Sequence, residues 1–265
     1  MTTEPITPPP AATPPVATAP ARRRRRWPWV LVVVLVLVAV GLVIADIAVR
    51  ASVESQAAAQ IEEQLPENVE GDVTVEIGGF SFLAQALTGR LSEVVLDAPE
   101  LSVNGVPLAA HAVANGVPTD LMKPIETISA SISIDQDAVN GIVDIPGDSG
   151  LVLGAGDVSY EGTLSIFGFQ LGYQVTGVVT ADGDRVLVEP RSASLTQGAG
   201  NLDIDLDQLL GSLADDPISV CVAQYLPEGA TVDSLEITEG RATAVLSADD
   251  FVVDEESLRT LGSCG

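Results

Sequence analysis

The sequence predicts an α+β fold in which a curved, mostly antiparallel sheet wraps around or packs on a few helices, preceded by one N-terminal transmembrane helix. Three observations support this prediction: a long apolar run near the N-terminus, apolar residues that alternate along many short segments, and few helical segments between them. Aromatic residues make up only 4% of the chain. The core must therefore consist mainly of valine, leucine, isoleucine and alanine, a composition that favours sheet.

Residues 22–47 separate the chain into three parts. Arg22 to Arg26, Trp27 and Trp29 precede an apolar run from Val30 to Ala45. This run is near the short end for a helix that spans ~30 Å of hydrocarbon. Arginines beside a membrane segment stay in the cytoplasm. The expected parts are a disordered proline- and threonine-rich cytoplasmic tail at 1–21, the arginine cluster with a transmembrane anchor or signal segment at 22–47, and an exported domain at 48–265.

The fate of the apolar segment is open between two main interpretations. Val43 and Ala45 form a small-residue pattern that suits a signal peptidase, and cleavage after Ala45 would release a periplasmic or secreted domain. The long preceding tail and the interfacial tryptophans favour an uncleaved single-pass anchor in the cell membrane. A buried helix of a soluble protein is a third interpretation, but it leaves the five arginines without a use.

The exported part is strongly acidic. Residues 51–265 contain 35 acids and six bases, which is a net charge of −29. Such a surface opposes nucleic acid and gives no general attraction to anionic membranes. Solubility accounts for most of these acids. Because charges act over Debye lengths of ~8 Å, one or two arginines still suffice to receive an anionic head group.

The chain has two cysteines, Cys221 and Cys264. An even count in an exported domain predicts a disulfide, with two independent thiols as the alternative. The bridge would close a loop of ~43 residues and contribute ~3 to 4 kcal/mol. With one histidine and no further cysteine, we expect no metal site.

The period of the apolar residues assigns the elements. From Val49 to Leu65 they recur every four positions until Pro66, which predicts a helix that packs its apolar stripe on the domain. After Val69 the period is two, which predicts strands. The predicted strands are Val73–Ile77, Leu91–Asp97, Ile128–Ile134, Tyr160–Thr180 (bent or broken at Gly168 or Gly172), Arg185–Leu195, Ser219–Ala223, Thr231–Thr238 and Arg241–Leu246. Three short helices are predicted after aspartate caps: Asp135 to Val143, Asp205 or Asp207 to Leu213, and Asp254 to Leu261.

Catalytic motifs are not evident. Gly147-Asp148-Ser149-Gly150 resembles the nucleophile segment of trypsin-like proteases, and His111 precedes it as a base would. The flanking sequence does not fit such a protease, and a turn accounts for the four residues without chemistry. We expect His111 to be a structural or surface residue. The sequence therefore favours a protein that is not an enzyme.

A calcium loop is also disfavoured. Asp203, Asp205 and Asp207 alternate with apolar residues, but Gln208 and Ala214 stand where an EF-hand loop needs glycine and glutamate. A strand end that leads into an aspartate-capped helix explains the pattern better. No cofactor is expected.

Two apolar segments are the best candidates for a binding site. One follows a strand and contains Phe80, Phe82 and Leu83, and the other contains Phe167, Phe169 and Leu171. Ordinary core packing is one interpretation of these residues. The other is that some of them line a cavity for acyl chains, with the neighbouring glycines leaving room beside the rings.

The segment Ile77-Gly78-Gly79-Phe80-Ser81-Phe82-Leu83, followed by Gly89-Arg90-Leu91, resembles the actinobacterial LmeA family of phospholipid-binding proteins. The arginine-rich start, the stretch Cys221-Val222-Ala223-Gln224-Tyr225-Leu226-Pro227 and the closing cysteine fit the same family, so the resemblance covers roughly residues 22–265. Ser81 departs from the proline that the family often has, and we expect a less rigid turn there. A looser likeness is to tubular lipid-binding domains.

The resemblance implies a cell-envelope protein that binds phospholipids, including phosphatidylinositol-type lipids, in an apolar groove outside the cytoplasmic membrane. Arg90 is the first candidate for a head-group contact, and a surface ion pair is its alternative role. A structural or scaffolding envelope protein with a filled core is the second hypothesis, and an envelope hydrolase with Ser149 beside His111 is the third. The expected partners are a phospholipid and the cytoplasmic membrane, while protein partners stay open.

Overall fold

The α+β prediction is confirmed, with two antiparallel sheets that are not closed. The structure, a computed structural model, describes residues 27–66, 68–120, 122–142, 150–166, 169–197, 200–204 and 217–264. The helices are α1 (Trp27–Gln64), α2 (Phe82–Thr88), α3 (Gln136–Ile142) and α4 (Glu255–Arg259), with a 3-10 turn at Ala223–Tyr225. The strands are β1 (Val69–Glu70), β2 (Thr74–Ile77), β3 (Arg90–Val103), β4 (Val106–Pro118), β5 (Ile125–Asp135), β6 (Leu151–Leu153), β7 (Val158–Ile166), β8 (Phe169–Asp182), β9 (Arg185–Gln197), β10 (Gly200–Ile204), β11 (Ile218–Cys221), β12 (Ala230–Thr238) and β13 (Arg241–Phe251).

The first sheet, sheet A, has seven strands in the order β1-β3-β4-β5-β13-β12, and β2 also pairs with β3. The second, sheet B, has six strands in the order β10-β9-β8-β7-β6, and β11 also pairs with β9. The strands of sheet B lie in the sequence between β5 and β12, which are both in sheet A. Sheet B is therefore an insertion into sheet A, and every strand pairing is antiparallel.

The two sheets join along β12. The backbone N–H of Val232 in β12 donates to the carbonyl of Gly183, which is in the turn between β8 and β9, at 3.0 Å. The N–H of Gly156 donates to the carbonyl of Ile237 at the other end of β12, also at 3.0 Å. A small core of Leu153, Ile237 and Ala242 lies at this second end. These two bonds and the shared core therefore connect sheet B to β12.

Helix α1 is continuous from the apolar run to Gln64. Its N-terminal part is long and apolar enough to cross a membrane. The compact unit of the fold comprises residues 43–265. Within this unit, Ala57, Ala58 and Ile61 of α1 pack against Val73, which precedes β2, and against Val75 and Ala98 of sheet A. The predicted packing of an apolar helix stripe is therefore present, although Val49 at the start of that stripe is exposed.

Several predicted elements differ from those observed. Tyr160–Thr180 is not one bent strand, because β7 and β8 form an antiparallel pair with Ile166 opposite Phe169. The predicted hairpin turn at Asp182-Gly183 is present, and the predicted helix after Asp254 ends at Arg259. Helix α2 and strand β4 were not predicted. The predicted helix from Asp205 or Asp207 to Leu213 lies outside the described residues.

The predicted disulfide joins Cys221 to Cys264, whose Cα atoms are 5.9 Å apart. It connects the end of β11 to the C-terminal segment. Further backbone hydrogen bonds hold the same segment: Glu228 N–H donates to Thr260 O at 2.8 Å, and Gly262 N–H donates to Leu226 O at 3.0 Å. The disulfide and these bonds together form one connection between the chain terminus and residues 221–228.

We predict that the double substitution Cys221→Ser/Cys264→Ser lowers the free energy of unfolding by ~3 to 4 kcal/mol, because it releases a loop of 43 residues in the unfolded chain. Urea denaturation of the detergent-solubilised full chain measures this change. The unsubstituted protein treated with a reductant is the matched control and should lose the same amount. An unchanged midpoint in both samples contradicts the prediction.

Candidate functional site

Sheet A has one polar face and one apolar face. Along β5, serines alternate with apolar residues: Ser129, Ser131 and Ser133 lie on one side, and Ile128, Ala130 and Ile132 lie on the other. On the polar side the hydroxyls of Ser133 and Thr243 are 2.9 Å apart and form a hydrogen bond across neighbouring strands. This side faces solvent, as is usual for one face of an antiparallel sheet.

The register extends the apolar side across the sheet. Residues that are directly opposite each other in paired strands lie on the same face. One such row crosses six strands and contains Val75, Leu96, Ala112, Ala130, Leu246 and Val232. The next row contains Ile77, Val94, Ala114, Ile128, Ala248 and Ala230. The face is entirely aliphatic in these rows, and alanine predominates at its centre.

These small side chains leave the face incompletely filled. Among the described residues, no large side chain is less than 2% exposed, although large core side chains are usually fully buried. A groove of ≈200 Å³ lies over β5, β12 and β13. Its lining is almost wholly apolar: Ile128, Ala130, Ile132, Leu226, Pro227, Ala230, Leu246, Ser247, Ala248 and Phe251. The groove is open to solvent and is not an enclosed cavity.

Phe251 closes one end of the groove. It lines the groove together with Ala248, three residues away, although strict alternation would put residues three apart on opposite faces. Between them Asp250 has a left-handed φ of 50°, a conformation that interrupts alternation and is uncommon for a residue other than glycine. The backbone at Asp250 therefore brings the Phe251 ring onto the apolar face.

Leu226 and Pro227 form the wall of the groove. Both belong to the segment that the disulfide and the bonds from Glu228 and Gly262 connect to the C-terminus. The N–H groups of Val222 and Ala223 each donate to the carbonyl of Asp184 at 3.0 Å. The wall is therefore held from sheet B on one side and from the C-terminal segment on the other.

A second, acidic pocket adjoins the Phe251 end. It has a volume of ≈440 Å³, and its lining includes Glu228, Asp249, Asp250 and Glu256. Four carboxylates that line one pocket give it a negative potential, which repels a phosphate. An anionic head group is therefore disfavoured in this pocket.

The Gly-Phe-Ser-Phe-Leu segment forms a turn and helix α2. Asp46 of α1 accepts hydrogen bonds from the Ser81 hydroxyl at 2.8 Å, from Phe82 N–H at 3.1 Å and from Leu83 N–H at 2.8 Å. Asp46 is only 8% exposed and is the buried charged side chain among the described residues. A buried carboxylate is tolerated when such donors satisfy it. Asp46 therefore holds the start of α2 against α1.

Further polar residues of α1 extend this connection at helical spacing. Arg50 donates to the carbonyl of Gly79 at 3.0 Å. Glu54 and Glu62 accept from the backbone N–H groups of Ile77 at 2.7 Å and Val73 at 3.0 Å. Residues four positions apart lie on one side of a helix, so these side chains form one stripe. We call Asp46, Arg50, Glu54 and Glu62 the α1 polar stripe.

A family model described as LmeA-like phospholipid-binding matches residues 44–246. The chain belongs to the LmeA-like phospholipid-binding family. The match begins just before Asp46 and ends within β13, so it includes both sheets, α2 and most of the groove lining. No curated protein and no solved structure matches the chain. LmeA-like proteins form a lipid-binding family and not an enzyme family.

The structure separates the predicted lipid-binding residues of the Gly78–Arg90 segment. Phe82 is buried at the start of α2, and Leu83 is half-buried. Phe80, in contrast, is fully exposed, with an exposed fraction of 104%. Ser81 caps α2 by accepting from Ala84 N–H at 3.3 Å and donates to Asp46. A proline could make neither bond, so the serine has its own means of holding this turn.

Arg90 forms a surface ion pair with Glu126. This contact is the alternative role that the sequence left open for it. Arg90 begins β3 opposite Pro118, next to the row in which Leu91 pairs with Val117. Ile125, which directly precedes Glu126, pairs with Phe251. Arg90 therefore lies at the same end of sheet A as Phe251.

The structure locates only some of the remaining sequence candidates. Phe169 and Leu171 lie in β8 of sheet B, and Phe167 lies outside the described residues. Ser149 also lies outside them, whereas His111 is on the polar side of sheet A, 3.6 Å from Asp97. In the part of the chain that the structure describes, no cluster of three or more histidine, cysteine, aspartate or glutamate residues could hold a metal ion.

Sequence reasoning did not identify Leu226, Pro227, Leu246 and Phe251 as groove residues. The first two were noticed as part of the family motif, but without a role. The sequence predicts that Leu246 lies in a strand, but it does not show on which face of the sheet. The register between strands determines that face. Asp46 was also missed, since it directly follows the apolar run and its partners are 35 to 37 residues away.

We predict that Asp46→Ala accelerates hydrogen exchange at the amides of Phe82 and Leu83 by ~10- to 100-fold, because loss of the acceptor leaves buried donors unsatisfied at a cost of ~1 to 3 kcal/mol. Exchange mass spectrometry on residues 78–90 of the full chain measures this effect. Asp72→Ala, at an exposed acid before β2, is the matched control and should leave exchange unchanged. Equal protection in both variants refutes the role of Asp46.

Proposed function

We propose that this protein binds phospholipids, among them phosphatidylinositol-type lipids, with an acyl chain in the groove formed by β5, β12 and β13. The proposed place of action is the outer side of the cytoplasmic membrane, where the domain supports lipid or glycolipid homeostasis of the envelope. The observation that carries the proposal is the aliphatic face of sheet A, whose small side chains leave an open groove at its centre. Membership of the LmeA-like family supports it.

Burial of an acyl chain supplies enough free energy without a catalytic group or a metal. Each methylene that leaves water contributes ~0.8 kcal/mol. The groove volume of ≈200 Å³ is below the ~300 to 1,000 Å³ of sites that enclose a whole ligand. The groove therefore holds part of a chain, and the rest lies along the neighbouring apolar rows.

Arg90 and Phe251 lie at the same end of sheet A. We propose that the lipid head group lies at this end, near Arg90. The acidic pocket on the other side of Phe251 repels phosphate. Arg90 and Lys123 supply two positive charges near this end, and their ion pairs with Glu126 and Asp120 are exposed. Exposed ion pairs contribute ~0 to 1 kcal/mol, so a phosphate can replace the carboxylate at low cost.

A structural or scaffolding role is the alternative. It requires a sheet face whose packing is complete without a ligand. The thin cores and the open groove favour lipid binding over this alternative, because a scaffold gains stability by filling such space.

We predict that Ala130→Phe weakens phospholipid binding by about tenfold, because the ring displaces roughly two methylenes of the bound chain. Titration of the delipidated full chain with a fluorescent phospholipid measures the affinity. Ser129→Phe adds the same ring on the polar side of the same strand and is the matched control. If the two variants bind with equal affinity, the lipid does not lie in this groove. The proposed function is overturned if the unsubstituted protein binds no phospholipid and no polyprenyl lipid.

We predict that Arg90→Gln reduces the preference for anionic over zwitterionic phospholipids by about three- to tenfold, as expected for one lost charge-assisted contact. Arg241→Gln is the control, because Arg241 forms a comparable exposed ion pair with Asp135 at 2.9 Å, at the opposite end of β5. Competition between phosphatidylinositol and phosphatidylcholine gives the preference. A similar loss in both variants assigns the effect to net charge and not to Arg90.

A further inference from the structure

Three exposed hydrophobic residues occur in one region of the compact unit. Phe80, Leu87 and Met122 have exposed fractions of 104%, 89% and 87%, which are the highest of any large hydrophobic residue in the described part of the chain. Phe80 precedes α2, and Leu87 is in its last turn. Met122 is three residues after Thr119. The N–H of Thr119 donates to the carbonyl of Gly89, the residue that follows α2, at 3.1 Å. We call these three residues the apolar tip.

The segment that carries Phe80 and Leu87 is unusual for this acidic domain. From Gly78 to Gly89 the chain has no charged residue, whereas residues 51–265 carry 35 acids. Large hydrophobic side chains that stay exposed together indicate an interaction surface. An uncharged segment with exposed phenylalanine and leucine is suited to the interfacial layer of a membrane.

The α1 polar stripe holds the apolar tip beside the end of the apolar run. Asp46 is the first charged residue after Ala45, and it bonds to Ser81, the neighbour of Phe80. Arg50, one turn later, bonds to Gly79, the neighbour of Phe80 on the other side. A helix needs ~20 residues to cross the hydrocarbon, and 20 residues counted from Val30 end at Val49. Ile47 and Val49 are exposed apolar residues, so the lipid-facing side of α1 continues past Asp46.

Asp46 can lie within this 20-residue stretch of α1 because its carboxylate faces the domain. A charge near hydrocarbon is tolerated when it is paired or faces other protein groups. The Ser81 hydroxyl and the two amides of α2 satisfy the carboxylate. The turn that carries Phe80 is therefore held beside Asp46 of α1.

We propose that the apolar tip inserts into the interfacial layer of the same bilayer that α1 crosses, and that it presents the Phe251 end of the groove to that bilayer. Met122 lies three residues before Ile125, which pairs with Phe251, so the tip and the groove end share the connection between β4 and β5. The partner is the lipid surface itself. This inference rests on the proposed function for the groove and for α1 as a membrane anchor.

Depth measurements test the insertion directly. The full chain, with its disulfide oxidised, is reconstituted in phosphatidylcholine vesicles that contain a minority of phosphatidylglycerol. Single cysteines at Phe80→Cys, Leu87→Cys and Met122→Cys carry an environment-sensitive fluorophore. The control is Ile142→Cys, an exposed apolar position at the end of α3. Because α3 follows β5, it is separated from Ile125 by a strand of 11 residues, or ~35 Å.

We expect nitroxides near the top of the acyl chains to quench the three tip labels at least about twofold more than the Ile142 label, because interfacial side chains lie ~5 to 10 Å into the boundary. Iodide in the water should quench the Ile142 label and spare the tip labels. Equal iodide quenching at all four positions overturns the insertion. This readout does not depend on whether the groove holds a lipid.

A second measurement separates insertion from binding. The triple variant Phe80→Ser/Leu87→Ser/Met122→Ser changes three exposed side chains. It should extract phospholipid from vesicles about tenfold more slowly than the unsubstituted protein, because each lost apolar contact weakens its binding to the membrane interface. Its affinity for a short-chain phospholipid below its micelle concentration should equal that of the unsubstituted protein. Unchanged extraction overturns the inference about the tip. Loss of short-chain binding in the unsubstituted protein instead overturns the proposed function of the groove.

Discussion

The small aliphatic side chains on one face of sheet A are the constraint on which the rest of the structure depends. Along β5, alternation directs isoleucine and alanine to this face and serine to the other. Alanine at the centre of neighbouring strands provides apolar surface but little volume. The sheet therefore keeps its hydrophobic face without closing over it. The groove over β5, β12 and β13 follows from this composition, and so does the thin core.

The polar contacts of the fold lie mainly at its edges. The α1 polar stripe holds the turn before α2 and the strand β2 against one edge of sheet A. The disulfide and its neighbouring backbone bonds hold Leu226 and Pro227 at the other edge, beside β12. Hydrogen bonds and the disulfide thus hold both edges. The sheet therefore keeps its shape although the apolar face between the edges is not fully packed. This arrangement is the physical basis on which an LmeA-like domain can have a rigid frame and an open centre.

Much of the fold could be predicted from local patterns. The isoleucine and serine alternation of β5 is strong, and the cap at Asp254 and the turn at Gly183 have clear local chemistry. Strand β4 was missed because alanine and a histidine weaken its alternation, and α2 was missed because it has only seven residues. The Gly-Phe-x-Phe-Leu segment suggested the family, and the family match over residues 44–246 confirms that membership. The segment's separation into a buried Phe82 and an exposed Phe80 depends on α1, which the local sequence does not contain.

The groove was harder to predict because it depends on register. Leu246 and Ala130 share a face only through pairing over more than 100 residues, and Phe251 reaches that face through the left-handed backbone of Asp250. The candidates chosen from the sequence were mainly aromatic, whereas the groove lining is aliphatic apart from Ser247 and Phe251. The disulfide was predictable because the chain offers a single pair of cysteines.

The continuity of α1 has a consequence for transport. No loop separates the apolar run from the segment that carries the α1 polar stripe, so an anchored domain lacks a linker that would extend its reach. Under the proposed function, such a domain would meet lipid by lateral diffusion in one leaflet, at a high effective concentration, and would exchange lipid with its own membrane. Delivery to a distant acceptor then requires either a relay protein or cleavage of the helix before Asp46.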